Sequence, residues 1–533
     1  MISQEAHDVL TDVTLSFYNP EDALSPYTLD PRRWRRLEKD LLLHSSKESI
    51  WLYYQQKQEK DLTASDLIIT GLHVKNSKPE SSSDEQWESR PGDIWLQRTH
   101  YDGNASQAIR AIDVLFGADA VDPRPQWSIS TSPLKLNAAA EVPASYLTVR
   151  RGKSQPRDTP PPLQANKDGK FKIVQISDTH MIAGVGNCTD ALGPNGELLP
   201  DREADPLTVK FIEEILDVEK PDLVLLTGDQ LHHDILDSQS PLLKLVAPLI
   251  ARSIPYAAIF GNHDSEGMWQ LSRKKQMAIL QDLPFSLCQL GPEEVDGVGN
   301  YILQIYPHDS TNDPFATLYL LDSHGELESK VKWPDYGHIT QSQVDWFIST
   351  SQALRSAREA TKGARKTYHL PLAFFHIPFA EYTDEKLAIR GGKRREPTEG
   401  PSFNSHFYDV LADEGVVAVG CGHDHVNDFC ALRHSTKESR SVGGQSSPRS
   451  SPWLCYNGGT GFGGYCSYDG VRFHRRTRVW EFDANAGSIT TWKRKEYSKD
   501  RVDEIVLVKN GAVVDPAAHE DVDDWQFISR SEL

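Results

Sequence analysis

Between residues 178 and 425 the sequence sets histidines, aspartates and one asparagine in five short groups, each at the exit of an apolar run. The groups are "SDTH" with Asp178 and His180, "TGDQ" with Asp229, "GNHD" with Asn262, His263 and Asp264, "FHIP" with His376, and "GHDH" with His423 and His425. Polar side chains at the ends of buried strands are costly unless something holds them. A turn or cap satisfies a lone aspartate, and a lone histidine after an apolar run is usually a hydrogen-bonded core residue. Five such groups in one chain are hard to explain that way. Imidazole and carboxylate without thiolate is a donor set for zinc, manganese or iron rather than calcium or copper(I). In an extended segment residues i and i+2 face the same side, so Asp178/His180 and His423/His425 can each aim two donors at one cavity. Two ions sharing a bridging carboxylate would use the whole set.

The elements that must position these groups are readable nearby. "FKIVQIS" (171–177) and "PDLVLLTGD" (221–229) read as buried strands, and between them "PLTVKFIEEILDVEK" (206–220) puts Leu207, Phe211, Ile212, Ile215 and Leu216 on one helical face. Strand, helix, strand is a βαβ unit, which favours parallel pairing. A third strand ends at Phe260, a fourth is "LPLAFFHIP" (370–378) and a fifth is "GVVAVGCGHDH" (415–425). In open α/β sheets the ligand site lies outside the carboxyl ends of the strands, so the five polar groups are expected to converge there.

Upstream, "ESIWLYYQQ" (48–56), "DLIITGLHV" (66–74) and "DIWLQRTHY" (93–101) predict strands, joined by a polar loop at 76–92. Residues 1–165 therefore read as a β-rich accessory domain ending in the Pro-rich linker 153–169. The main domain is expected over 166–498, interrupted by a disordered Ser/Gly-rich loop at 435–452 and followed by an acidic tail at 499–533.

The 533 residues carry a formal net charge of −19, which argues against a nucleic-acid binder. The six cysteines show no CxxC spacing, so neither a disulfide scaffold nor a zinc knuckle is expected. No signal peptide is visible in "MISQEAHDVL", and no apolar run is long enough to span a bilayer. A cytoplasmic, reduced protein is the expectation; the glycosylation-type triplets at Asn104 and Asn187 arise readily by chance.

In their order, Asp-x-His, Gly-Asp, Gly-Asn-His-Asp, lone His and Gly-His-x-His, the motifs resemble those of the calcineurin-like metallophosphoesterase superfamily, and the likeness extends to about residue 497. The spacing and "NGGTGFGGY" (457–465) further resemble the branch of fungal dose-dependent cell-cycle regulator phosphatases and small plant purple-acid-phosphatase-like proteins. The resemblance implies an α+β fold layered α-β-β-α, a sandwich of two mixed sheets flanked by helices. It implies two divalent or trivalent ions (manganese, iron or zinc). Asp178, His180 and His425 would hold one, Asn262, His376 and His423 the other, and Asp229 would bridge. A purple acid phosphatase has Gly two residues after its first Asp and a Tyr ligand three residues after the bridging Asp. Here those places hold His180 and His232, so the site stays complete without tyrosinate and its colour.

Such a site sets its ions about 3.5–4 Å apart and supplies a bridging hydroxide for in-line attack on phosphorus. The leaving oxygen needs a proton. His263 is the expected donor, with Asp264 expected to hydrogen-bond its imidazole. The implied reaction is hydrolysis of phosphate monoesters, with phosphoserine or phosphothreonine in proteins suggested by the fungal likeness. A phosphodiesterase or nucleotide hydrolase uses the same metals, and a non-catalytic scaffold would keep the fold but lose His263 or several ligands. His232, His233, His324, His338, His369 and His406 match no motif position and read as structural or exposed. "DSHGE" (322–326) reads as a strand end, and Cys421 as a small buried hydrophobe. Arg390 and the Lys393–Arg395 run read as a solvated loop or as cations at the cavity rim. Specificity is expected in loops 181–206, 265–300 and 380–402.

Overall fold

The computed structural model describes residues 8–18, 29–44, 48–80, 86–153, 160–199, 203–327, 335–361, 368–433, 451–516 and 526–527. The chain divides into two compact units: Met1–Asp158 with Ala183–Val185 and Leu236–Ala247, and Thr159–Ile182 with Gly186–Ile235 and Pro248–Leu533. Among the described residues no helix is long and apolar enough to cross a membrane.

The first unit is β-rich, as expected. Its sheets are three-stranded and antiparallel, and the predicted runs appear as Ser49–Gln58, Leu67–Val74 and Ile94–His100. Alternating residues such as Leu10, Ile50, Leu52, Ile94, Leu96 and Val114 meet in one apolar core.

The second unit is built on two mixed sheets. The strands that lead into the site are β1 (Lys170–Ile176), β2 (Leu223–Thr227), β3 (Tyr256–Ile259), β4 (Leu370–Phe374) and β5 (Ala418–Cys421). A seven-stranded sheet orders β3, β2 and β1, then Arg476–Asp483, Ser488–Lys495, Val502–Lys509 and Ala512–Val513. β1, β2 and β3 pair in parallel, whereas Arg476–Asp483 pairs antiparallel with β1. An eight-stranded sheet contains β4 and β5, parallel to each other and flanked by Ala316–Leu320 and Trp453–Tyr456. Every residue of β2, β3, β4 and β5 is buried, as strands covered on both faces must be.

Helix α1 (Ala204–Glu219) is the predicted crossover from β1 to β2; it buries Phe211, Ile212, Ile215 and Leu216, while Leu207 is only half-buried. Its Glu219 accepts a 2.8 Å hydrogen bond from Trp492 and pairs with Lys172 at 3.0 Å, seating the helix on the seven-stranded sheet. Residues from Gln341–Thr361 and Phe407–Asp413 join the apolar cluster on the eight-stranded sheet. The inner faces meet at Phe374 against Trp480, and at Gln175 on β1. Fully buried, Gln175 donates to Thr227 Oγ1 and to the Cys421 carbonyl of β5, and accepts from Trp480 Nε1.

Several boundaries differ from the sequence reading. Leu163–Gln164, assigned to the linker, pairs with Tyr301–Tyr306. Val502–Lys509, assigned to the acidic 499–533 tail, is a strand with Ile505, Leu507 and Val508 buried. Its charges, Asp503, Glu504 and Lys509, fall on both faces, and the adjacent Leu507 and Val508 are both buried, so the strand carries no clean period-two pattern. Residues 1–7, at the expected start, lie outside the described residues, as does the 435–452 loop apart from its last two positions. The expectation of reduced cysteines is also corrected: Cys430 and Cys455 form a disulfide. They are register partners on adjacent antiparallel strands, with Cα atoms 4.1 Å apart, a neighbourhood their spacing of 25 residues conceals.

The segment after β5 is locked to the rest of the unit by Asp428. This fully buried carboxylate pairs with Arg395 and Lys493, each at 2.6 Å, and with Arg476. Arg394 donates to the carbonyls of Tyr382 and Asp384, and Arg390 pairs with Asp515. These arginines thus brace structure, rather than forming a solvated loop or cations at the rim. Replacing Asp428 with Asn strands buried cations and is expected to cost about 3–5 kcal/mol in guanidinium unfolding. Against its burial, the three cations hold the Asp428 pKa well below the carboxylate value. Its contribution is therefore present above the unfolded value near 3.8 and is lost only as pH falls through the native one; the variant should lack that acid limb.

Candidate metal centre

The five strand ends converge. Asp178, His180 and His425 bring one donor atom each within 4.8 Å of one another, and Asp229, His376 and His423 do the same; all six are buried. Asp229 Oδ2 lies 3.2 Å from His376 Nε2, 3.9 Å from His180 Nε2 and 4.0 Å from His263 Nε2. Asp178 Oδ1 is 3.5 Å from His425 Nε2 and 3.9 Å from His376 Nε2. His180 Nε2 and His425 Nε2 are 3.1 Å apart. Asp229 thus stands between the two clusters.

Asp178, His180, Asp229 and His423 have left-handed backbones, with φ of 58°, 47°, 50° and 75°. Such conformations are uncommon outside glycine and turn each strand end sharply toward the cavity. Gly261 contributes through its missing side chain. A Cβ there would lie 2.1 Å from Asp229 Oδ1 and 2.7 Å from His376 Cδ2, so the position must be empty for these residues to meet.

The donors fit metal ions. Among the described residues, Asp178 Oδ2, Asn262 Oδ1 and His423 Nε2 are buried without a hydrogen-bond partner, a costly state that cations would relieve. His376 Nδ1 donates to the Thr227 carbonyl at 2.9 Å and His425 Nδ1 to the Tyr465 carbonyl at 2.8 Å, which leaves each Nε2 free to ligate. Electrostatics agree. Burial, with the Asp229 carboxylate beside it, pushes Asp178 up to about 7. Burial drives His180 and His423 well below the ordinary imidazole value and His425 to about 3, so these rings stand neutral as ligands must. His376 differs: against burial, the Asp229 carboxylate lifts it to about 9, so this ring gives up a proton if it ligates. Strong perturbations of opposite sign in one enclosed cluster mark a functional site.

His263 and Asp264 part company. The Asp264 carboxylate faces inward and accepts backbone N–H groups of Asp229, Leu231 and Gly261 at 3.0, 2.9 and 2.8 Å. The partner of His263 Nδ1 is Glu266, at 2.5 Å. His263–Ser265 is a 3₁₀ turn, in which residues i and i+3 eclipse while i+1 points away. The expected Asp264–imidazole bond is therefore replaced by one from Glu266. Despite burial, the Asp229 and Glu266 carboxylates raise His263 to about 9, keeping its ring protonated at neutral pH.

Other supports had little or no sequence signal. Ser323 of "DSHGE" accepts from the His376 and Ile377 amides, and Asp322 holds Arg273, which donates to the Gly261 carbonyl. That segment braces two ligand loops rather than merely ending a strand. Tyr465 stacks on His425 with centroids 4.0 Å apart. Arg475, fully buried, donates to the carbonyls of Gly461 and Gly464 and so fixes the glycine-rich segment behind the imidazoles. His232 and His233 adjoin the site too, with ring contacts reaching His180 and His263. Cys421 is buried as expected, and burial pushes its thiol well up.

Known proteins resemble this chain over 66–72% of its length. Residues 171–427 match the calcineurin-like phosphoesterase family. Phosphatase DCR2 of Saccharomyces cerevisiae is 36% identical over 403 residues, 72% of this chain and 64% of that protein, so the chain spans less than two thirds of that relative's length. Probable inactive purple acid phosphatase 29 of Arabidopsis thaliana is 35% identical over 375 residues, 66% of this chain and 89% of that protein. Among solved structures, a dimetal phosphatase from Danio rerio aligns with a TM-score of 0.38 at 14% identity, over 64% of this chain and 99% of that one. The chain belongs to the calcineurin-like phosphoesterase family and carries a dimetal-type site.

The glycine-rich backing gives a direct test. A Cβ at Gly464 would lie 2.4 Å from His425 Cε1 and 2.7 Å from His180 Cδ2. Gly464→Ala is expected to lose metal from the Asp178/His180/His425 cluster and retain it at the other, seen as a halved metal content by mass spectrometry after reconstitution.

Proposed function

We propose that the protein is a dinuclear-metal phosphatase acting on phosphate monoesters, with phosphoserine or phosphothreonine in proteins as the substrate class. The observation that carries this reading is the placing of the His263 imidazole 4.0 Å from Asp229, the carboxylate that stands between two buried Asp/His clusters. Asp178, His180 and His425 would hold one ion, Asn262, His376 and His423 the other, and Asp229 both. When bound, two ions lower the pKa of a shared water toward about 7 and clamp the phosphoryl oxygens.

The chain's own residues do the rest. His263 stands at the cavity with its side chain 30% exposed, so a leaving oxygen can reach Nε2 while Glu266 fixes the ring from Nδ1. The proton then goes to the departing alkoxide, which makes the group matter most for poor leaving groups. A few residues further along the chain, Met268 is 84% exposed and Trp269 46%, apolar surface of a kind that suits a peptide. A non-catalytic scaffold fits poorly with a chain that keeps His263 beside two buried Asp/His clusters.

Activity on aryl phosphate mono- and diesters and on a phosphoseryl peptide, after reconstitution with manganese, iron or zinc, tests the reading. Monoesters are expected to be turned over faster, and turnover of the diester alone would sink the monoesterase reading. Asp229→Asn should lose both metal and activity. His263→Ala should keep its metal and lower kcat by about 10²–10⁴-fold, with a larger loss on phosphoserine than on the aryl ester. Glu266→Gln should give a smaller loss of the same kind.

A further inference from the structure

We propose that His232 is a positioning residue for the ligand His180, its Nδ1 accepting the proton that His180 carries when Nε2 binds metal. The inference rests on the dinuclear reading above. His180 Nε2 points into the ligand cluster, 3.1 Å from His425 Nε2, and cannot face a metal and carry hydrogen there as well. A neutral imidazole that ligates through Nε2 has its hydrogen on Nδ1. That atom lies 3.4 Å from His232 Nδ1. Two N–H groups cannot face each other at this distance, so His232 must present a bare Nδ1 and carry its own hydrogen on Nε2. At His376 and His425 the corresponding acceptor is a main-chain carbonyl. At His180 it is a second imidazole.

His232 is built to hold that place. Its amide donates to the Met181 carbonyl, one residue beyond His180, at 3.1 Å. Its carbonyl accepts Gln270 Nε2 at 2.9 Å, and the same nitrogen donates to the His263 carbonyl at 2.9 Å. Its ring leans on His233, with centroids 4.2 Å apart. These main-chain bonds fix the backbone of His232 between the segments that carry His180 and His263, and His233 backs the ring from one side. Partners of this kind, one bond removed from the metal, fix ligand tautomer and orientation and typically account for 10–100-fold in metal affinity.

The test is a manganese titration of metal-free protein, followed by calorimetry and by competition with a fluorescent chelator. Wild type should bind two ions. His232→Phe keeps a ring and removes the acceptor, and one of the two ions should bind about 10–100-fold more weakly while the other is unchanged. His232→Asn can set Oδ1 where Nδ1 stood, and should recover most of the loss; it also serves if phenylalanine disturbs folding. Unchanged affinities in His232→Phe, or equal weakening in both variants, would overturn the inference while leaving two metals in place. Wild type that binds no metal would instead overturn the dinuclear reading itself.

Discussion

One inward-facing carboxylate holds the site together. Asp264 gathers the amides of Asp229, Leu231 and Gly261, joining the ends of β2 and β3 through a group that touches neither solvent nor the cavity. That tie keeps Asp229 in its left-handed conformation, and Asp229 in turn accepts the His263 amide on Oδ1 while Oδ2 faces the ligands. Left-handed backbones at non-glycine residues cost about 1–3 kcal/mol each, and four residues of the two clusters share the condition. The offset is local hydrogen bonding: Asp178 N–H to the Gly228 carbonyl, His180 N–H to that of Asp229, and His423 N–H to Asp178 Oδ1.

The two sheets enter the same bargain from opposite sides. β1, β2 and β3 deliver Asp178, His180, Asp229 and Asn262, whereas β4 and β5 deliver His376, His423 and His425. Each cluster draws on both sheets, so the sheets' relative position is a condition for either cluster to exist. Gln175 and the Phe374–Trp480 contact set that position within the core.

The two buried clusters were legible because parallel buried strands read as apolar runs, and the switch to Asp or His marks where each run ends. β1 to β5 and α1 followed from the same patterning. What failed did so for reasons of geometry. Asp264 follows His263 in sequence, yet a 3₁₀ turn sends neighbouring side chains apart and brings Glu266 to the ring instead. Val502–Lys509 was hidden by charge on both of its faces, and the Cys430–Cys455 contact by a register that no spacing announces. His232 was read as structural or exposed, because the sequence does not say which ring it faces.

The antiparallel pairing of β1 with Arg476–Asp483 also sets a timetable. The first ligand-bearing strand lies beside one made some three hundred residues later, as Phe171 opposite Phe482 illustrates. The glycine-rich backing of His180 and His425, at 457–464, is another late arrival. During synthesis the early strand has no neighbour on that edge, and chain-distant pairing of this kind is slow and leaves apolar surface open meanwhile. The nascent protein must therefore keep Asp178 and His180 without their cluster partner and backing until nearly all of the unit has left the ribosome.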